Sequence, residues 1–195
     1  MKTAYFWLTP QGKQLAEQLQ AHFGGTVEPK ADFAEAVRRA FADCDALVFV
    51  MATGIVVRTI APLVQSKASD PAVLVLDQRG KHVISLLSGH LGGANAMAEQ
   101  TAAYLGGEAV ITTATDVEHV PAFDLFAKEN HLTIENLEEL KYISGALVAG
   151  EPVSLCTAFP VEKNAFPETV QIQPFSETPR HACAVAIADT TESVA

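Results

Sequence analysis

The stretch "DALVFVMATGIVVRTIAPLVQSK", Asp45–Lys67, decides the fold. Its first part, "DALVFVMA", is a continuous apolar run of strand length, which suits a strand buried on both faces. The part that follows reads two ways. Ile55, Val56 and Val57 are β-branched and argue for a strand. The spacing from Ile55 through Arg58 to Ala61 also fits a short helix that Pro62 would break or kink. Topology favours the helix, because a strand placed directly after "LVFVMA" leaves no crossover connection.

Upstream, "TAYFWL" reads as another buried strand, and "TPQGKQLAEQLQAHF" as a helix. Thr9 can cap it, Pro10 suits its first position, Leu15, Leu19 and Phe23 recur at four-residue spacing, and Gly24 and Gly25 stop it. "ADFAEAVRRAFADC" gives a second helix with Phe33, Val37 and Phe41 on one face. Downstream, "AVLVLDQRGKHVISLL" reads as two strands around a "DQRG" turn. "GGANAMAEQTAAYLG" is an alanine-rich helix closed by Gly106 and Gly107, "EAVITTATD" a strand with a polar exit, and "PAFDLFAKEN" a helix. This alternation predicts an α/β fold: an open, largely parallel sheet flanked by helices, with a hairpin at an edge. The pattern changes near residue 136. "NLEELKYISGALVAG" is a helix, and the strand-like "EPVSLCTAF", "ETVQIQPF" and "HACAVAIAD" are separated by proline-rich joints. We therefore expect an N-terminal α/β domain over 1–136 and a small α/β unit over 137–195. The latter ends at "DTTESVA" with no closing element evident in the sequence.

Composition removes several function classes. Hydrophobic residues make up 49% of the 195 and charged ones 18%, enough apolar side chain for a core. The formal net charge of −10 and the absence of basic runs beyond Arg38–Arg39 argue against a nucleic-acid partner and an anionic membrane surface. The three cysteines, Cys44, Cys156 and Cys183, are widely spaced, which points to reduced thiols and a cytoplasmic protein without a zinc ribbon. The N-terminal apolar run is too short for a signal peptide, and no stretch approaches a membrane span.

Three loops leave strand ends with unusual polar or glycine content. In "SGHLGGAN", Gly89, Gly92 and Gly93 let backbone amides approach a ligand, Ser88 and Asn95 add neutral hydrogen bonding, and His90 adds a group titrating near neutral pH. An anion cradle and a close-packed glycine turn both fit. "ATGIVVR" places Thr53 and Gly54 at a strand end, with Arg58 four residues on. Arg58 can bind a carboxylate or pair with Asp70 or Asp77 on the surface. "TTATD" aligns Thr112, Thr113, Thr115 and Asp116, which suits ligand binding or base catalysis, or equally a helix cap. Were their three strands parallel neighbours, these loops would share one crevice at the strands' carboxyl ends. Asp77 reads as a turn residue and Lys67 as a solvated lysine. His22, His82, His119, His131 and His181 lack metal-ligand spacing and read as surface or turn residues. Neither a P-loop, a G-x-G-x-x-G nor a G-x-S-x-G motif is present.

The blocks "GIVVRTIAPL", "DPAV", "SLLSGHLGGAN" and "TTATD", in that order between Gly54 and Val117, resemble the N-terminal region of the CbiG family, the cobalt-precorrin-5A hydrolases of anaerobic cobalamin biosynthesis. Residues from about 137 onward resemble the family's middle region more weakly. The resemblance implies hydrolytic opening of a δ-lactone on a cobalt corrinoid, with release of acetaldehyde and formation of cobalt-precorrin-5B. It implies no protein-bound metal or other cofactor, since the cobalt belongs to the substrate. His90 or Asp116 is then the expected base, and the "GHLGG" amides the expected oxyanion donors. Full-length members carry a further C-terminal domain, so a partner domain or separate protein is also expected. A homodimer is compatible with the sequence. Two other readings stand beside this one: a corrinoid-binding module that needs a partner for chemistry, and an α/β enzyme of phosphorylated metabolites using "SGHLGG".

Overall fold

The computed structural model describes residues 1–66, 69–162 and 165–188. Lys67 and the terminal "DTTESVA", 189–195, lie outside the described residues. The chain divides into two compact units, Met1–Thr112 and Thr113–Ala195.

The first unit is built on strands β1 (Thr3–Trp7), β2 (Thr26–Val27), β3 (Ala46–Val50), β4 (Ala72–Leu76), β5 (His82–Leu87) and β6 (Glu108–Val110). They form one sheet in the order β2-β1-β3-β4-β5-β6. The strands β1 to β4 are mutually parallel; β5 is antiparallel to β4, and β6 is parallel to β5. The sheet is thus largely parallel and open, as expected, but the hairpin is not at its edge. The strand β6 pairs with the outer side of β5, because the helical crossover between the two returns the chain parallel to β5.

Helices α1 (Pro10–Phe23) and α4 (Ala94–Leu105) cover one face of the sheet. Helices α2 (Phe33–Asp43) and α3 (Thr53–Ile60) cover the other. Thr9 caps α1, its hydroxyl accepting the Gly12 amide at 3.0 Å. "GIVVRTI" is helical, and Val56 and Ile60 are its buried residues, packed on Phe49, Val73 and Val75. β3 and β4 are buried at every position, which is why their sequences show no alternation. On α2 the inward residues are Ala36, Val37 and Ala40, with Phe33 and Phe41 half-buried beside them. Phe23 is displaced from the core face of α1; it is 37% exposed and lies edge-on to Tyr104.

The second unit begins with the one-turn α5 (Ala114–Val117), where the sequence pattern suggests only a polar loop, and α6 (Phe123–Glu129). A 3-10 turn, Leu137–Glu139, leads into α7 (Leu140–Val148). Strands β7 (Val153–Thr157), β8 (Val170–Pro174) and β9 (Ala184–Ile187) form a parallel sheet in the order β8-β7-β9. Phe123 packs with Ile143, Leu147, Val153 and Leu155, and its ring stacks on Phe166 at 5.6 Å. Its share in this core is the reason α6 belongs with the second unit, although it precedes residue 136.

Candidate functional site

The direction of β5 decides which loops can act together. The carboxyl ends of β1, β3 and β4 lie level, with Trp7 opposite Val50 and Val50 opposite Leu76. β5 runs the other way, placing Leu87 opposite Val73 at the start of β4. The loops after β3 and β5 therefore leave opposite ends of the sheet. This overturns the single shared crevice. Thr53, Gly54 and Arg58 stand at one end; Ser88, Gly89, His90, Gly92, Gly93 and Asn95 stand at the other, as does Thr112, which follows β6. Thr113, Thr115 and Asp116 belong to the second unit, with Thr115 buried in α5.

At the first end lies a cleft of 630 Å³, within the range of small-molecule sites. It sits where the strand order reverses between β1 and β3, the place in an open α/β sheet where two adjacent loops part and leave a crevice. Leu8 and Thr9 come from the β1–α1 loop, Met51, Ala52 and Thr53 from the entry to α3, and Asp77, Gln78 and His82 from the β4–β5 turn. Val75, Ile84 and Val110 supply apolar wall on the α2/α3 side of the sheet, where Ile84 remains only partly buried. Gly12 lets α1 start this close to β3: a Cβ there would come within 3.1 Å of the Val50 carbonyl oxygen. Thr9 also donates its hydroxyl to Gln78 Oε1 at 3.2 Å, linking two of the three loops.

Arg58 is exposed and folds back towards the start of α3, its guanidinium reaching to 3.5 Å from where a Gly54 Cβ would be. It does not pair with Asp70 or Asp77. The Asp70 carboxylate accepts the Gln65 and Ser66 amides at 2.9 and 3.0 Å. That of Asp77 accepts the Arg79 and His82 amides at 2.9 and 2.7 Å. Partial burial pushes the Asp77 carboxyl up. The His82, Arg79 and Lys81 amides and the His82 side chain outweigh this and hold it below the usual carboxylate range. The entry to α3 has alanine, Ala52, at its cap position, so no side chain caps its first amides.

The opposite end is a tightly tied turn. Ser88 is buried with φ of 58°, and its hydroxyl donates to the Asp70 carbonyl at 2.9 Å. Gly92 packs on Ser88 so closely that a Cβ would fall 2.4 Å from the Ser88 Cβ. Of the "GHLGG" amides expected to face an anion, that of Gly93 donates to the His90 carbonyl at 3.0 Å, and the next two amides, of Ala94 and Asn95, donate to the Ser88 and Gly89 carbonyls at 3.1 and 3.0 Å. The Asn95 side chain lies against Gly89 and accepts the Ser85 hydroxyl at 2.6 Å. His90 is half-buried in this turn. The close-packed reading of the glycines describes this geometry.

Sequence reasoning misses the pairing of Asp77 with His82, the Gly12 approach and the Asp70–Ser88 tie. "DQRG" between two short strands is the available signal for the first, since residues flanking a tight turn face each other. The second unit has its own concavity of 490 Å³ at the ends of β7 and β8, lined by Thr157, Phe159, Ile172 and Pro174 among others, with no titratable side chain. Among the described residues no three His, Cys, Asp or Glu side chains converge to hold a metal ion. No described helix is long and apolar enough to cross a membrane.

The first unit is thus a doubly wound α/β domain with a ligand-sized cleft at its switch point. A family model described as cobalamin synthesis G N-terminal matches residues 35–116, and one described as cobalamin biosynthesis central region matches residues 121–193. The chain belongs to this family, CbiG, and carries its N-terminal and central regions. A cobalt-precorrin-5A hydrolase of Salmonella typhimurium is 44% identical over 165 residues, covering 78% of this chain and 47% of that protein. Another, of Priestia megaterium, is 42% identical over 109 residues, covering 56% and 29%. A crystal structure of a cobalamin biosynthesis protein G homolog from Sulfolobus solfataricus matches 99% of this chain and 57% of its own, with a TM-score of 0.55 at 24% identity, a likeness of fold. The chain spans about half the length, or less, of the curated relatives it matches.

Proposed function

We propose that this chain acts in anaerobic cobalamin biosynthesis as a cobalt-precorrin-5A hydrolase, opening the δ-lactone of the corrinoid with release of acetaldehyde to give cobalt-precorrin-5B. The observation that carries the reading is the 44% identity over 165 residues to a protein of that name. The cleft supports it chemically. Apolar wall from Val75, Ile84 and Val110 suits the face of a macrocycle, and Thr9, Thr53 and Gln78 offer hydrogen bonds at the rim. Arg58, in the last turn of α3 with its guanidinium folded back towards Gly54, offers a fork for a carboxylate arm. The cobalt is part of the substrate. The three free thiols accord with a cytoplasmic site of action.

The test is anaerobic incubation of the chain with cobalt-precorrin-5A, followed by mass spectrometry of the corrinoid and an aldehyde assay. Conversion with acetaldehyde is expected; unchanged, unbound corrinoid would defeat the reading. A second reading, a corrinoid-binding module that relies on another protein region for chemistry, draws on the matched stretch being only 47% of the Salmonella typhimurium protein. Corrinoid retained unchanged on the protein would favour that one.

A further inference from the structure

The β4–β5 turn brings two titratable side chains to the rim of the cleft. Asp77 is held from below by backbone, Oδ1 accepting the Arg79 amide and Oδ2 the His82 amide. The same Oδ2 lies 3.4 Å from His82 Nδ1. Val83 packs into the α1/α4 core, so the β5 alternation turns His82 and Ile84 to the other face, where both line the cleft. The His82 and Asp77 side chains are 46% and 41% exposed, open to a ligand in the cleft. A carboxylate pinned by two amides is a fixed acceptor. It selects the Nδ1–H tautomer of the facing imidazole and leaves the Nε2 lone pair available as a base.

We propose that Asp77 and His82 form the proton-transfer pair of the switch-point cleft, with His82 as general base towards a lactone or ester carbonyl held there and Asp77 as the positioning residue. The proposal rests on the hydrolase reading. His82 Nε2 takes a proton from water as its oxygen bonds to the carbonyl carbon. The bond from that carbon to the ring oxygen breaks, and the imidazolium returns the proton to the departing alkoxide. This step gives one carboxylic acid, which ionises, and one alcohol. Acetaldehyde leaves in a separate C–C cleavage of that alcohol, in which the hydroxyl loses its proton as the C=O forms and the ring carbon that keeps the bonding pair takes up a proton. The charged groups on the neighbouring elements are Arg79 and Lys81 on the turn, Glu108 as the register partner of His82 on β6, and Arg58 on α3.

The experiment compares wild type, His82→Gln, Asp77→Asn and His90→Gln on cobalt-precorrin-5A under single-turnover conditions across pH, with corrinoid affinity and thermal unfolding of each variant. We expect H82Q to lose about 10²–10³-fold in rate with affinity unchanged within twofold, and D77N to lose about tenfold while shifting the acidic limb of the pH–rate profile, the limb on which a general base is protonated. A wild-type rate in H82Q, or a loss in D77N without any change in profile, overturns the pair. A loss in H90Q equal to or larger than that in H82Q, with folding intact, also overturns it and moves the chemistry to the other end of the sheet. No turnover by wild type overturns the hydrolase reading and the pair with it.

Discussion

The two ends of the first sheet carry loops of similar composition and put them to different use. Both contain small polar residues at the mouth of a helix. At the α4 end the backbone and side chains satisfy one another: the Ser88 hydroxyl takes the Asp70 carbonyl, the Ala94 and Asn95 amides take loop carbonyls, and Gly92 closes on Ser88. At the α3 end Ala52 provides no cap, Arg58 is exposed, and the loops of β1, β3 and β4 part around a cleft. Interactions that are internally complete favour stability. Groups left facing solvent beside a concave apolar wall favour binding. Glycine and serine content alone does not distinguish the two, because the same residues serve close packing and ligand approach.

The largest expected difference between the ends is in stability. Gly92→Ala places a methyl where the Ser88 Cβ and carbonyl already stand. It should cost about 3 kcal/mol, read as a lowered urea midpoint with unchanged slope; a midpoint within error of wild type would show that the turn can relax. Ser88→Ala removes the buried bond to the Asp70 carbonyl and should cost about 1–2 kcal/mol in the same assay. At the cleft end Arg58→Gln should leave unfolding within about 0.5 kcal/mol, because Arg58 has no ion pair among the described residues. It should weaken corrinoid binding about tenfold in titration through a lost charge-assisted bond. An Arg58→Gln chain that unfolds early yet binds normally would reverse the comparison.

The smallest effect is a pH dependence. The Asp77 carboxyl titrates lower in the folded chain than in the unfolded one. Its contribution is therefore complete above the ordinary carboxylate value of about 3.9 and lost as pH falls through the lowered folded value. Asp77→Asn should flatten the acid side of the stability curve, with wild type losing more as pH falls below about 4. Both residues of the turn are half-exposed, so the difference is small; parallel curves would show that the turn amides contribute nothing.

Much of the fold is legible in the sequence because it is local. Thr9 and Pro10 start α1 by chemistry that needs no partner, and unbroken apolar runs mark β3 and β4 as buried on both faces. The reading of "GIVVRTI" as helix rests on connectivity, and the structure agrees. The site is harder. "DQRG" implies that β5 returns antiparallel to β4, whereas a shared crevice requires β3, β5 and β6 to run parallel. Taken together, these two inferences are inconsistent, and the turn alone is enough to separate Arg58 from His90. α5 escapes because a single turn carries too little periodicity to stand out from a polar loop.

By itself the sequence determined most of the elements, their order, the family and a net acidic composition, since each depends on neighbouring residues, on ordered motifs or on residue content. Tertiary structure alone decided which loops meet. The outward pairing of β6 on β5, the approach of α1 to Val50 through Gly12, and the juxtaposition of Asp77, His82, Thr9 and Thr53 all arise from strand direction and sheet order. These are relations between segments far apart in the chain, and only packing them into one sheet brings them together.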